Sequence, residues 1–181
     1  MIEYRLPTSV MVNGTEREIR SDYRAILDII SALNDPELTN DDKAFAVVGI
    51  FYVDDIDLAD YPAAVEECFK FIDYGVDVKT EKRAPKLIDW EQDFKYIISP
   101  INKSAGRDIR SDEYVHWWTF LSWFYEIGEC TLSQIVHIRD AQRRGKMDKA
   151  DREWYAKNRE LVDFRTTYTE AEQNLLAEWG V

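Results

Sequence analysis

Apolar residues recur at intervals of three and four through most of the chain, which is the period of an amphipathic α-helix. The first such run extends from Tyr23 to Leu33, behind a capping pair at Ser21-Asp22 and ahead of Pro36. Residues 45–52 are rich in β-branched side chains and also fit a strand. The same reasoning predicts further helices over residues 39–52, 60–75, 89–100, 113–126, 131–138, 148–164 and 171–179.

The N-terminal segment has a different pattern, since two extended arms in residues 8–19 flank Asn13-Gly14. Both turn residues accept positive φ, so the segment predicts a β-hairpin with a type I′ turn. The polar, aperiodic residues 75–87 predict a loop, the one plausible hinge. We therefore predict a mainly α fold: a single domain of about seven helices with a short N-terminal β-hairpin over residues 1–165, then a capped short helix or tail over residues 166–181.

The predicted helix over residues 113–126 is apolar on two faces. One broad stripe is predicted to face the core, and it comprises Tyr114, Trp117, Trp118, Leu121, Phe124 and Tyr125. A second stripe comprises His116, Phe120 and Trp123. A helix of this kind is either central in its domain or presents one face to a partner. The pattern leaves both alternatives open, and these three residues are the candidate partner-binding site.

The charge balance limits the classes of partner. With 181 residues and 45% hydrophobic content the chain has enough apolar surface for a real core, but its net charge is −12. A protein this acidic is repelled by nucleic acid unless its basic residues are concentrated. The densest basic stretch runs from Arg139 to Lys146 and is interpreted as a solvated helix end. We expect no nucleic-acid partner.

The compartment follows from cysteine usage and the lengths of the apolar runs. The two cysteines, Cys68 and Cys130, lie in apolar surroundings as reduced cysteines do, and no disulfide framework is indicated. The longest apolar run is too short to cross a bilayer, and the N-terminus does not resemble a signal peptide. The expected setting is the cytosol, without a membrane partner.

Candidate chemistry is sparse. The sequence has neither a glycine-rich phosphate loop nor a nucleophile motif beside its two histidines, His116 and His137. Glu113-Tyr-Val-His116 has the Glu-x-x-His spacing of di-iron bundles, but such a site needs two copies and two further glutamates. We therefore expect no catalytic residue, no metal and no cofactor. A small enzyme with an unrecognised site is the remote alternative.

Several short motifs, in colinear order, resemble one family of tailed-phage proteins, bacteriophage gene product fifteen. They are Leu-Pro-Thr-Ser-Val with Val-Asn-Gly (6–14), Asp-Tyr-Arg (22–24), Asp-Pro-Glu-Leu-Thr (35–39), Leu-Ile-Asp-Trp-Glu-Gln-Asp (87–93), His-Trp-Trp-Thr-Phe-Leu (116–121), Ser-Gln-Ile-Val-His-Ile-Arg (133–139) and Lys-Met-Asp-Lys-Ala-Asp-Arg-Glu-Trp-Tyr (146–155). The resemblance covers residues 4 to about 165, and no motif covers the residues after it.

The resemblance carries expectations about function rather than a set of site residues. Genes of this family typically lie between those of the major tail protein and the tape-measure protein, where tail assembly chaperones are encoded. It implies a non-enzymatic chaperone in the bacterial host cytoplasm, with the tape-measure protein and tail-tube subunits as partners and homo-oligomerisation as a further expectation. A minor structural tail component that stays in the virion is the alternative.

Overall fold

The computed structural model describes residues 5–76 and 85–165, and its contacts divide into two compact units. Residues 5–76 and 113–120 belong to the first unit, and residues 85–112 and 121–165 belong to the second. The described residues of both units lie within the predicted domain, residues 1–165. The predicted C-terminal segment, residues 166–181, and most of the predicted loop over residues 75–87 lie outside the described residues.

The first unit begins with the predicted hairpin. Strand β1 (Ser9–Val12) pairs antiparallel with β2 (Thr15–Glu18). The turn residues Asn13 and Gly14 have φ values of 48° and 83°, as a type I′ turn requires. The predicted hairpin is confirmed. Asparagine and glycine both tolerate the left-handed backbone conformation that a tight turn between two paired strands requires.

Two capped helices follow the hairpin. Helix α1 (Tyr23–Asn34) begins behind Asp22, whose carboxylate accepts the backbone N–H of Arg24 at 2.9 Å. Helix α2 (Asn40–Phe51) begins with a capping box between Thr39 and Asp42. Residues 45–51 are therefore helical rather than a strand. The capping box favours the helix because it accepts hydrogen bonds from backbone N–H groups at the helix start that otherwise have no partner.

Helix α3 (Tyr61–Ile72) completes the core of the first unit. It follows a 3-10 turn (Leu58–Asp60), has a proline in its first turn, and buries Ala64, Cys68 and Phe71. The phenol of Tyr52 donates to the carbonyl of Ala64 at 2.8 Å and ties the end of α2 to α3. Burial raises the pKa of the Cys68 thiol far above its usual value, so Cys68 is an apolar core residue.

The second unit begins with helix α4 (Phe94–Ala105), which starts later and ends later than predicted. Asp89 does not cap it; its carboxylate instead accepts the N–H groups of Glu91 and Gln92 in a preceding turn. Pro100 lies inside the helix. A proline removes one backbone hydrogen bond, and burial of Ile97, Ile98 and Ile101 stabilises the helix on both sides of it.

Helix α5 (Trp117–Tyr125) also begins later than predicted, and the boundary between the units falls within it after Phe120. The preceding residues are not helical, and His116 forms an isolated antiparallel bridge with Asp22 ahead of α1. The carbonyl of Val115 accepts the N–H of Tyr23 at 2.9 Å, and Trp117 donates its N–H to the carbonyl of Ser21 at 2.7 Å. This long-range pairing has no signature in local sequence.

Three helices complete the second unit: α6 (Thr131–Arg143), α7 (Lys149–Lys157) and α8 (Arg159–Val162). The predicted continuous helix over residues 148–164 is wrong, since it breaks at Asn158, whose side chain caps the carbonyl of Trp154 at 2.9 Å. The interpretation of the basic stretch is wrong for Arg139, which is buried, whereas Arg143, Arg144 and Lys146 are exposed. Eight α-helices and one hairpin in the described residues confirm the mainly α fold.

Candidate partner-binding surface

The structure does not form the predicted binding stripe as one exposed face. His116 and Phe120 are 3% and 0% exposed within the first unit, and His116 precedes helix α5. Trp123 is half-buried in the second unit, with the guanidinium of Arg107 5.4 Å from its ring centroid. His116 and Phe120 are therefore buried in their unit rather than exposed to a partner, which is the other alternative that the sequence left open. A binding role for Trp123 stays a prediction.

The predicted core stripe of the same segment is right only in part. Trp117 and Leu121 are buried, whereas Tyr114 and Tyr125 are 52% and 70% exposed. The predicted core position of Tyr114 is wrong because helical periodicity does not hold over residues 113–116, which precede the helix. Tyr125 is the last residue of α5 and faces solvent.

His116 connects the N-terminal segment to the start of α5. Its Nδ1 accepts the backbone N–H of Trp118 at 3.0 Å, and its Nε2 lies 2.9 Å from the carbonyl oxygen of Pro7. An imidazole that accepts at Nδ1 and donates from Nε2 is neutral. Burial lowers the pKa of His116 below its usual value. Glu113 and His116 both precede the helix, so the Glu-x-x-His motif does not have the helical context that a di-iron bundle requires.

We expect the free energy of unfolding to fall as the pH drops below about 6.5, the pKa of histidine in an unfolded chain. His116 has a lowered pKa when folded, so the unfolded chain binds the proton first and gains stability from it. Urea denaturation at several pH values between about 5.5 and 7.5 measures the effect.

The matched comparison uses the two histidines in turn. The decline should be smaller in His116→Gln and persist in His137→Gln, because the side chain of His137 is 58% exposed. An unchanged decline in His116→Gln would assign the pH dependence to other groups.

A partly exposed stack of aromatic side chains lies beside His116. The ring of Trp118 stacks on Tyr74 and on Phe71, with centroid distances of 5.0 and 5.6 Å. Its indole N–H donates to the carbonyl of Phe71 at 2.8 Å. Tyr74 is 41% exposed and has a φ of 66°, which is uncommon for a residue other than glycine. Tyr74 lies in the turn that ends α3, where the N–H of Gly75 donates to the carbonyl of Lys70 at 2.7 Å.

An open groove of 690 Å³ lies between β2, α1 and α2 in the first unit. Its polar groups bind one another: Ser21 Oγ lies 2.7 Å from the hydroxyl of Tyr114, and Asp22 accepts the N–H of Val115 at 2.8 Å. Arg20 donates to the carbonyls of Gly49, Ile50 and Tyr52 at the end of α2. These bonds close the end of the helix, as cations at helix C-termini do.

Within residues 5–76 and 85–165, no group of three or more histidine, cysteine or acidic side chains is placed to hold a metal ion. In the same part of the chain, no helix is long and apolar enough to cross a bilayer. The expected absence of metals, cofactors and catalysis stays a prediction.

The family model described as bacteriophage Gp15 protein matches residues 2–164. The chain belongs to this family. The match to the Gp15 family confirms the resemblance, which rested on short motifs over residues 4 to about 165. Among curated proteins and among solved structures, no match to this Gp15-family chain is found.

Exposed large apolar side chains are concentrated on the first unit of this Gp15-family protein. Nine of the eleven in the described residues belong to it, and two to the second unit. The nine are Leu6, Met11, Phe45, Val53, Leu58, Phe69, Tyr74, Val76 and Tyr114. Sequence reasoning missed most of them because it searched the aromatic helix alone. No local signal distinguishes them, since Val53 and Leu58 are exposed while Ile56, in the same aspartate-rich segment, is buried.

Proposed function

We propose that this Gp15-family protein is a phage tail assembly chaperone. It binds the tape-measure protein and tail-tube subunits in the host cytoplasm while the tail is built, and it acts by binding rather than by catalysis. Membership of a bacteriophage family supports the phage context. The tape-measure protein is proposed as the partner because genes of this family typically lie next to the tape-measure gene.

The observation that carries the proposal is the asymmetric distribution of exposed apolar side chains. Contiguous exposed apolar surface, of the kind that the contact between Phe45 and Tyr61 forms, marks a site that another molecule covers, whereas apolar side chains exposed singly do not. Here nine of eleven such side chains of the described residues lie on one unit. Covering apolar surface contributes roughly 25 cal/mol per Å² before the costs of association are subtracted. Binding a partner chain is therefore the function that this surface supports best.

The net charge of −12 supports the same proposal. A chaperone has to keep itself and an apolar client in solution, and net charge far from zero suppresses association between copies of the complex. An acidic surface also weakens nucleic-acid binding, which suits a protein that works beside replicating phage DNA.

Mass spectrometry of infected-cell lysate and of purified virions tests the proposal. We expect the protein at high abundance in lysate and its absence from mature particles, because a chaperone leaves once the tail is assembled. The major tail protein in the same samples is the control, since it is present in both. Recovery of this protein from virions in a fixed ratio to the tail-tube subunit would show a structural tail component instead.

A further inference from the structure

An apolar strip lies on the exposed side of α2 and α3 in the first unit. The ring of Phe45, on α2, contacts the edge of Tyr61, at the start of α3, with centroids 5.3 Å apart. The N–H of Tyr61 donates to the carbonyl of Leu58 in the 3-10 turn, so Leu58 lies one turn before the start of α3. Phe45 is 52% exposed and Leu58 is 67% exposed.

The strip continues along α3 by helical spacing. Val65 and Phe69 follow Tyr61 at intervals of four, which places the three side chains on one face of the helix. Phe69 is exposed and Val65 is half-buried. We name Phe45, Leu58, Tyr61, Val65 and Phe69 the α2–α3 strip. It is about two helical turns long, the length over which a partner helix presents three anchors.

Acidic side chains border the α2–α3 strip. Asp41 lies one helical turn before Phe45 on α2, and Asp57 directly precedes Leu58. Asp42 is exposed in the first turn of α2, and Asp54 and Asp55 are exposed in the connection between α2 and the 3-10 turn. Residues 40–70 contain eight acidic residues and two lysines, of which Lys70 pairs with Glu66 and Glu67 at 3.0 and 2.8 Å. An apolar strip with this border attracts a partner with apolar and basic faces and repels an acidic one.

We propose that the α2–α3 strip binds an amphipathic helix whose apolar face is bordered by lysine or arginine. The inference rests on the proposed function and specifies the chemistry of the client segment that the chaperone covers. Apolar side chains of the client helix contact Phe45, Leu58 and Tyr61, and its cations lie over the aspartates. A second copy of this chain is a weaker candidate for the strip, because its net charge of −12 opposes the approach of another acidic surface.

Two synthetic helical peptides of about 18 residues test the proposal, with leucines along one face and either lysines or glutamates on the other. Fluorescence anisotropy measures the binding of each peptide to the full chain. We expect the lysine peptide to bind and the glutamate peptide not to bind. Raising the salt concentration from about 50 to 500 mM should weaken binding of the lysine peptide several-fold, since exposed charges are then screened within a few ångströms.

Two variants with matched controls locate the binding site. The double variant Phe45→Ser with Leu58→Ser should weaken binding about tenfold or more, as the loss of interface anchors does. Tyr125→Ser is its control, because Tyr125 is 70% exposed but belongs to the second unit.

The charge variant replaces Asp54, Asp55 and Asp57 by asparagine and should weaken binding several-fold while leaving the apolar strip intact. Its control replaces Glu126, Glu129 and Glu160 of the second unit by glutamine, with the same change in net charge. Circular dichroism checks the fold of every variant, and the charge variant keeps the test decisive if the serine variant does not fold.

Failure of the inference is distinct from failure of the proposed function. Binding of both peptides with equal affinity, binding of neither, or unchanged affinity in both strip variants would overturn the inference. Self-association that the serine variant abolishes would identify a second copy as the occupant and overturn it too. If the strip variants lose the lysine peptide but still co-purify with the tape-measure protein, the proposed function stands and the strip is not its client site.

Discussion

Replacing Asp93 by alanine should lower the free energy of unfolding by about 3–5 kcal/mol, because it leaves a buried arginine without its counter-ion. The side chains of Asp93 and Arg139 are 0% and 3% exposed and form two hydrogen bonds, of 2.5 and 3.1 Å. A guanidinium cannot lose its proton to escape this environment. The unpaired charge must therefore remain buried or unfold its surroundings.

The cost is large because Arg139 joins three separate segments of the second unit. Its Nε donates to the carbonyl of Val162 at 2.7 Å, and Nη1 donates to the carbonyl of Leu87 at 3.0 Å. The ring of Phe164 lies 4.1 Å from the guanidinium carbon. If Arg139 moves toward solvent, it loses its hydrogen bonds to the carbonyls of Leu161 and Val162, which hold α8 against α6.

Chemical denaturation of Asp93→Ala beside Asp140→Ala measures the effect with a matched control. Asp140 also binds arginines, Arg143 and Arg144, but both are exposed, so its loss should cost less than about 1 kcal/mol. Equal losses in the two variants would show that water reaches the Asp93–Arg139 pair.

Replacing Trp117 by alanine should also cost about 3–5 kcal/mol, through the cavity that it leaves in the first unit. Trp117 is 1% exposed, and its ring stacks on Phe120 with centroids 5.4 Å apart. Its indole N–H donates to the carbonyl of Ile72 at 3.0 Å, so the variant also leaves an acceptor at the end of α3 without this donor.

Trp123→Ala is the control for Trp117→Ala. The two residues are tryptophans of the same helix, but Trp123 is half-buried, so its loss should cost clearly less. Thermal melts of the two variants decide the comparison. A Trp123→Ala variant that melts as early as Trp117→Ala would place Trp123 in a core, and its predicted role in binding a partner would be wrong.

Local sequence predicted the elements whose signals are local. Asn13-Gly14 specifies its turn by positive φ, and Thr39 with Asp42 specifies a helix start by satisfying free amides. The start of helix α5 was not predicted correctly, because hydrogen bonds to residues distant in sequence determine the backbone conformation there. Residues 113–116 are not helical, since Val115 and Trp117 form hydrogen bonds with Tyr23 and Ser21 that span more than ninety positions of sequence.

The candidate site was predictable only in part for a related reason. Periodicity identifies apolar positions of a helix, but it does not show which neighbour covers them. His116 and Phe120 fit an exposed stripe by spacing, yet both are buried. Phe45 fits the core by composition, since α2 is apolar over most of its length, yet it is exposed. Burial of a given apolar residue depends on how helices pack, which helical spacing alone does not specify.

Co-expression with the tape-measure protein of the same phage tests the central claim most directly. We expect the tape-measure protein to be insoluble when expressed alone and to become soluble when co-expressed with this chain. The two should then elute together in size-exclusion chromatography. A tape-measure protein that stays insoluble in its presence, or that elutes separately from it, would contradict the chaperone function.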